Sequence, residues 1–98
     1  MISIKVVNED RVKAIDISKE FTTLLRSDLE NVLDVEIIGP NPCKISRINN
    51  KYRYNILIKV SDNYLEICRD SIGKIRNLMI EKYKNSSFIV SINPVNIN

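Results

Sequence analysis

The chain has 98 residues, 44% of them hydrophobic, with 15 Lys and Arg against 12 Asp and Glu for a net charge of +3. That length holds one modest core, and the apolar content excludes an intrinsically disordered chain. Two cysteines and no histidine exclude a disulfide scaffold and remove most zinc sites, the usual general base and the usual catalytic triads.

Ile2, Ile4 and Val6 alternate with Ser3 and Lys5, which predicts a first strand. Asn8 or Asp10 can cap the helix that follows, in which Ala14, Ile17, Phe21, Leu24 and Leu25 form one apolar stripe. That helix should fade between Asp28 and Asn31. Val35 to Ile38 reads as a short second strand, ended by Gly39-Pro40-Asn41-Pro42 because proline cannot donate to a ladder. Asn49-Asn50 predicts a hairpin turn, since Asn tolerates positive φ. Tyr52 to Val60 is the longest strand, with Tyr52, Tyr54, Ile56, Ile58 and Val60 on one face and Arg53, Asn55, Leu57 and Lys59 on the other. Asp62 is expected to cap a second helix, whose stripe is Leu65, Cys68, Ile72, Ile75 and Met79. Tyr83 closes that stripe, and Lys82, Lys84 and Asn85 suit the helix C-terminus. Phe88, Val90 and Ile92 mark a last strand, which Pro94 ends.

The order is β-α-β-β-α-β. One apolar stripe per helix predicts that both helices cover one face of a four-stranded antiparallel sheet, an α+β, ferredoxin-like split-βαβ arrangement with the first and third strands central. Lys5, Arg53, Asn55 and Lys59 then lie on the opposite face, with Ser91 and Asn93 nearby. Residues 1–98 read as a single domain. No apolar run approaches a membrane span and no signal peptide opens the chain, so a cytoplasmic protein with no membrane partner is expected.

Enzymatic chemistry has little to stand on. There is no Walker loop, and Gly39 and Gly73 cannot build a phosphate-binding glycine loop. No nucleophile has a base beside it, no metal-ligand cluster is present, and no cofactor is implied for the chain. Cys68 falls on the helix stripe and is expected in the core; Cys43, in the loop after Pro42, is expected to be an exposed, inert thiol. The distribution of charge says more. Between Glu36 and Asp62 there is no carboxylate, and Lys44, Arg47, Lys51, Arg53 and Lys59 all fall in that gap. The rest of the chain carries ten cations against twelve carboxylates. A local positive field in a balanced domain suits an anionic partner, while a solvated strand edge guarded by lysine and arginine is the alternative. An RNA-recognition motif is not supported, since Tyr52 and Tyr54 share the helix-facing side of their strand and the usual aromatic signature is missing. Both tyrosines are expected to pack at the core or its rim; if either stacks on a base, it is Tyr52, near the hairpin end.

The stretch "IIGPNPCKISRINNKYRYNILIKV" resembles the C-terminal domain of the primosomal helicase PriA, also called primosomal protein N-prime. Gly39, Pro40, Pro42, Arg47, Tyr52, Arg53, Tyr54, Leu57 and Lys59 fit that family's strand, proline loop and Tyr-Arg-Tyr strand in order. The closing "VSINPVNIN" fits at Asn93 and Pro94, with Ser91 standing where the family commonly has Asp. The resemblance covers essentially the whole chain. It implies a fold like that of ribosomal protein S10 and a parent that restarts stalled replication forks as an ATP-driven, 3′-to-5′ DNA helicase. The motor, its ATP site and a zinc module would lie upstream. The last domain would bind branched or single-stranded DNA and dock on the helicase core, near the surface that takes the tail of single-stranded-DNA-binding protein. An arginine that some members place after Pro-Ser at the second helix does not carry over, because this chain has Ser61-Asp62-Asn63 there.

The chain is therefore expected to be a non-catalytic domain that binds DNA through Lys44, Arg47, Lys51, Tyr52, Arg53 and Lys59, the cations on the backbone. Of these, Arg53 has a second reading, as a brace of the sheet through a carboxylate. The alternatives for the chain are a structural brace that docks on protein and a stand-alone RNA-binding protein of the ribosomal S10 type.

Overall fold

The computed structural model of the chain describes residues 1–92, and of Ser46 the backbone only. Its elements are β1 (Ile2–Asn8), α1 (Arg11–Asp28), β2 (Val35–Ile48), β3 (Lys51–Val60), a 3-10 turn (Asp62–Tyr64), α2 (Leu65–Lys82) and β4 (Ser87–Ile92). The four strands form one antiparallel sheet in the order β2-β3-β1-β4. β1 and β3 are central, as the β-α-β-β-α-β order predicts. Asn93 and Pro94 lie outside the described residues.

Strand parity follows the apolar alternation. Ile4 sits opposite Ile56 and Val90, and Val6 opposite Tyr54 and Phe88. These residues face the helices. Ile2, Ile4, Val6, Ile56 and Ile58 have no exposed surface, and Phe21, Leu25, Cys68, Ile72 and Met79 meet them from α1 and α2. Each fully buried side chain of this size contributes about 1.5–3 kcal/mol relative to exposure. The Phe21 and Phe88 rings pack with centroids 5.7 Å apart, which joins α1 to the β4 edge of the sheet.

Asp10 caps α1. Its carboxylate accepts the Lys13 N–H at 3.2 Å, while Asn8 Oδ1 accepts the Asp10 N–H at 2.7 Å. This fixes the corner between β1 and α1 with two side chains that favour such bonds. Two polar clusters tie the helices together. Glu20 accepts from Lys82 Nζ at 2.7 Å and from the Tyr83 hydroxyl at 2.5 Å. Asp28 accepts from Lys74 Nζ at 2.9 Å and from the Ser71 hydroxyl.

Two boundaries differ from the sequence expectation. The second strand does not stop at Gly39; β2 continues through both prolines to Ile48. As an edge strand it pairs with β3 alone, so a proline nitrogen can face away from the ladder. The continuation is irregular. The register slips between Ile38 and Asn41, where three steps on β2 match two on β3. It slips again between Pro42 and Arg47, where five steps match two. Gly39 makes the first bulge possible: its φ is +108°, and a Cβ there would stand 2.8 Å from the Asn55 carbonyl oxygen. The second difference is at α2. Asp62 does not cap it; Asp62 opens the 3-10 turn, and Tyr64 occupies the cap position with no side-chain bond. The tighter turn starts the helical path early and leaves the carboxylate inside the first turn.

Candidate nucleic-acid interface

The β2–β3 hairpin ends in Asn49 and Asn50, with φ of 52° and 64°. Positive φ at both turn residues gives the twist that two strands joined by a two-residue loop require. Tyr52 is the first β3 residue that β1 pairs, opposite Asn8, so the turn and Lys51 overhang the sheet. β3 is about 33 Å long at 3.3 Å per residue. The longest extent of the molecule is 39 Å, which sets the turn at one end of it.

Five of the six sequence-predicted residues gather toward this end. Lys44 and Lys51 are exposed. Arg47 is exposed too, but ordered: its Nη2 donates to Asn50 Oδ1 at 3.0 Å, and its guanidinium lies 5.4 Å from the centre of the Tyr52 ring. One face of the Tyr52 ring thus carries a cation of the same hairpin. Arg53 is half-buried and braces the sheet, through a backbone carbonyl and not a carboxylate: its Nε–H donates to Ile45 O at 3.2 Å. This bond ties the wide bulge of β2 back to β3. Tyr54 is buried on the helix-facing side, which agrees with the parity read from the sequence.

Lys59 does not join the group. It lies eight residues along β3 from Lys51, about 26 Å away, and sits opposite Glu36 in the register. Linear proximity within the acid-free stretch misled here, because an extended strand carries its two ends to opposite sides of a small domain. Lys5 takes its place. On β1 it faces the same open side of the sheet as Arg53, and both cations act on the Cys43 thiol.

Cys43 is a correction. The expectation of an exposed thiol assumed a loop, but the residue lies in β2 and is 5% exposed. The wide bulge turns it inward, against the open face of the sheet. Burial pushes its thiol above the ordinary value, and Arg53 and Lys5 only partly oppose that. A thiol held protonated is a poor nucleophile and a poor metal ligand. Beside it, Ser3 Oγ donates to Asn55 Oδ1 at 2.7 Å, a buried polar pair on the open face.

Near the turn an open groove of about 900 Å³ is lined by Lys13, Lys51, Lys82 and Lys84, but also by Glu9, Asp10 and Asp16. Lys51 belongs to both this mixed-charge groove and the hairpin, so the hairpin is free of carboxylates along the chain but borders those of the β1–α1 corner at Lys51. Among the described residues, no group of His, Cys, Asp and Glu is arranged to hold a metal ion, and no helix is long and apolar enough to cross a membrane.

An acid-free, cationic hairpin on a split-βαβ scaffold is thus the feature to be matched. A family model for the primosomal protein N C-terminal domain matches residues 1–95. The chain belongs to that family. As a primosomal protein N C-terminal domain, it is a domain of the machinery of replication restart. No curated protein matches the chain. Among solved structures it is similar to a de novo designed protein with a ferredoxin fold, determined by NMR in solution. The two share 16% identity over 95% of this chain and 82% of the designed one, with a TM-score of 0.61. At that identity the likeness concerns the fold alone, and it agrees with the split-βαβ order described above.

Proposed function

We propose that residues 1–98 form the non-catalytic C-terminal domain of a replication-restart helicase, which binds branched or single-stranded DNA through the β2–β3 hairpin and docks on the helicase core. One observation carries the reading: in a primosomal-family chain, the hairpin from Lys44 to Arg53 gathers four cations with no carboxylate among them. Lys44, Arg47 and Lys51 contact phosphates, with Lys5 beside them on the sheet face. Such contacts neutralise backbone charge without reading bases, as a protein that must act on any fork requires. Arg53 supports the bulge that presents Lys44, and Tyr52 holds Arg47. In this reading ATP and zinc belong to upstream domains of the parent, and the tail of single-stranded-DNA-binding protein is a further candidate partner.

Titrating the chain with forked DNA, single-stranded DNA and duplex RNA at several salt concentrations tests this. DNA binding that weakens steeply with salt supports it. Weak binding to all three points to a brace that docks on protein, and a preference for RNA to an RNA-binding protein of the ribosomal S10 type.

A further inference from the structure

Ile45 and Ile48 stand out of the hairpin with 54% and 38% of their surface exposed, among the cations Lys44, Arg47 and Lys51. Ile48 is the last residue before the overhanging turn and pairs with Lys51. Cationic surfaces that take single strands combine phosphate contacts with aromatic rings on which bases stack. Neither ring of this hairpin is wholly free: Tyr54 is buried, and one face of Tyr52 carries the Arg47 guanidinium. The tip offers a branched aliphatic surface in place of a ring. Isoleucine is among the side chains that wedge between base steps and unstack them. Inside an intact duplex both faces of every base pair are covered by neighbours. At a junction, where one strand departs, one face of the last pair is open.

We infer that the hairpin tip is a wedge for the open end of a duplex at a junction between double- and single-stranded DNA. Ile48, seconded by Ile45, inserts between the last base pair and the departing strand, and Lys44, Arg47 and Lys51 hold phosphates on either side. This rests on the DNA-binding reading above and narrows it, favouring the junction over an uninterrupted single strand.

The test uses the 98-residue chain and three DNAs: a fork carrying 2-aminopurine in the base pair at its junction, the same duplex closed by loops at both ends, and a single strand. The fork is expected to bind about tenfold more tightly than the closed duplex, the scale of one base-stacking contact. The 2-aminopurine at the junction brightens as its pair unstacks. Ile48→Thr keeps the β-branch that suits a strand; it is expected to bring fork binding down to the level of the closed duplex and to leave binding of the closed duplex unchanged. A fork preference retained by Ile48→Thr overturns the wedge, and so does tighter binding of the single strand than of the fork. Should the variant fail to fold, the 2-aminopurine signal with the parent chain decides alone, and its absence overturns the wedge. In these outcomes salt-dependent DNA binding by the parent still supports the hairpin as a phosphate surface. Failure to bind any of the DNAs would instead defeat the function proposed above, and the wedge with it.

Discussion

Arg47 is held over the Tyr52 ring and bonded to Asn50 before any ligand arrives. A long side chain already ordered loses less freedom on binding. Replacing Arg47 and Lys51 with Ala is therefore expected to weaken DNA binding alike for all sequences. It should also lower the slope of log affinity against log salt by roughly 0.7–0.9 for each phosphate contact removed. Folding should change by no more than about 0.5 kcal/mol, since both side chains are exposed. A double variant with the parent's affinity and salt slope would mark these cations as a solvated face. Ile56 is the opposite kind of residue, fully buried at the centre of β3. Ile56→Ala should cost about 2–5 kcal/mol in a urea unfolding experiment. A loss within about 0.5 kcal/mol, the scale of surface substitutions, would contradict the parity of the strand. That parity was legible in the sequence, because alternation over a regular strand leaves each side chain one choice of face. The burial of Cys43 was not: an irregular stretch breaks the alternation, and nothing local says which way the thiol turns.

At the scale of elements, β2 is where pattern reading ran out. α1, α2 and β3 each repeat one period over at least ten residues, and such repeats were readable. Two prolines in β2 argue for a stop only if the strand must pair on both sides, and an edge strand need not. Gly39 marks the point at which the strand bends and goes on. With φ at +108° and a backbone oxygen where a Cβ would stand, Gly39→Ala should destabilise the domain by about 1–3 kcal/mol. It should also loosen the first bulge of β2, between Ile38 and Asn41, which adjoins the wider one that carries Lys44, so that DNA affinity falls with stability. Equal stability of parent and variant in urea would mean that β2 pairs without this bend. Gly73 is the contrasting case. It lies inside α2, and a Cβ there meets nothing within 4 Å. Gly73→Ala is expected to raise stability by about 0.8–1.0 kcal/mol through helix propensity alone, readable as a higher melting temperature. An unchanged or lower melting temperature would reveal a constraint on α2 beyond propensity.

Across the whole molecule, the order of elements followed from two periodicities and the central place of β1 and β3 from the split-βαβ arrangement which that order fits, but the ties between helices did not. Glu20 and Lys82 stand 62 residues apart, and Asp28 and Lys74 stand 46 apart; no local pattern pairs them. These ties make stability depend on pH in a defined way. Glu20 is held below the usual carboxylate range, first by the bond from Lys82 and then by that from Tyr83. Asp28 is held low by the bond from Ser71 and then by that from Lys74. Both carboxyls return to their ordinary values on unfolding. As pH falls through that ordinary range, the unfolded chain takes up protons that the folded chain still refuses, so stability drops until the folded groups protonate as well. On the alkaline side, the bond to Glu20 raises both Lys82 and Tyr83 above their usual values. There the folded chain keeps protons that the unfolded chain has released, and stability declines again as pH rises through the tyrosine and lysine ranges. The plateau lies between these limbs. The two lysines are more than half exposed and the two carboxylates about a third, so each limb is shallow and weakens with added salt. Urea midpoints measured across pH are expected to trace this shape. Glu20→Gln combined with Asp28→Asn is expected to flatten the acid limb and lower the plateau slightly, since the bonds to Lys82 and Lys74 lose their charge. An acid limb as steep in the double variant as in the parent would assign the acid sensitivity to other carboxyls, and leave these two clusters as surface contacts without weight in folding.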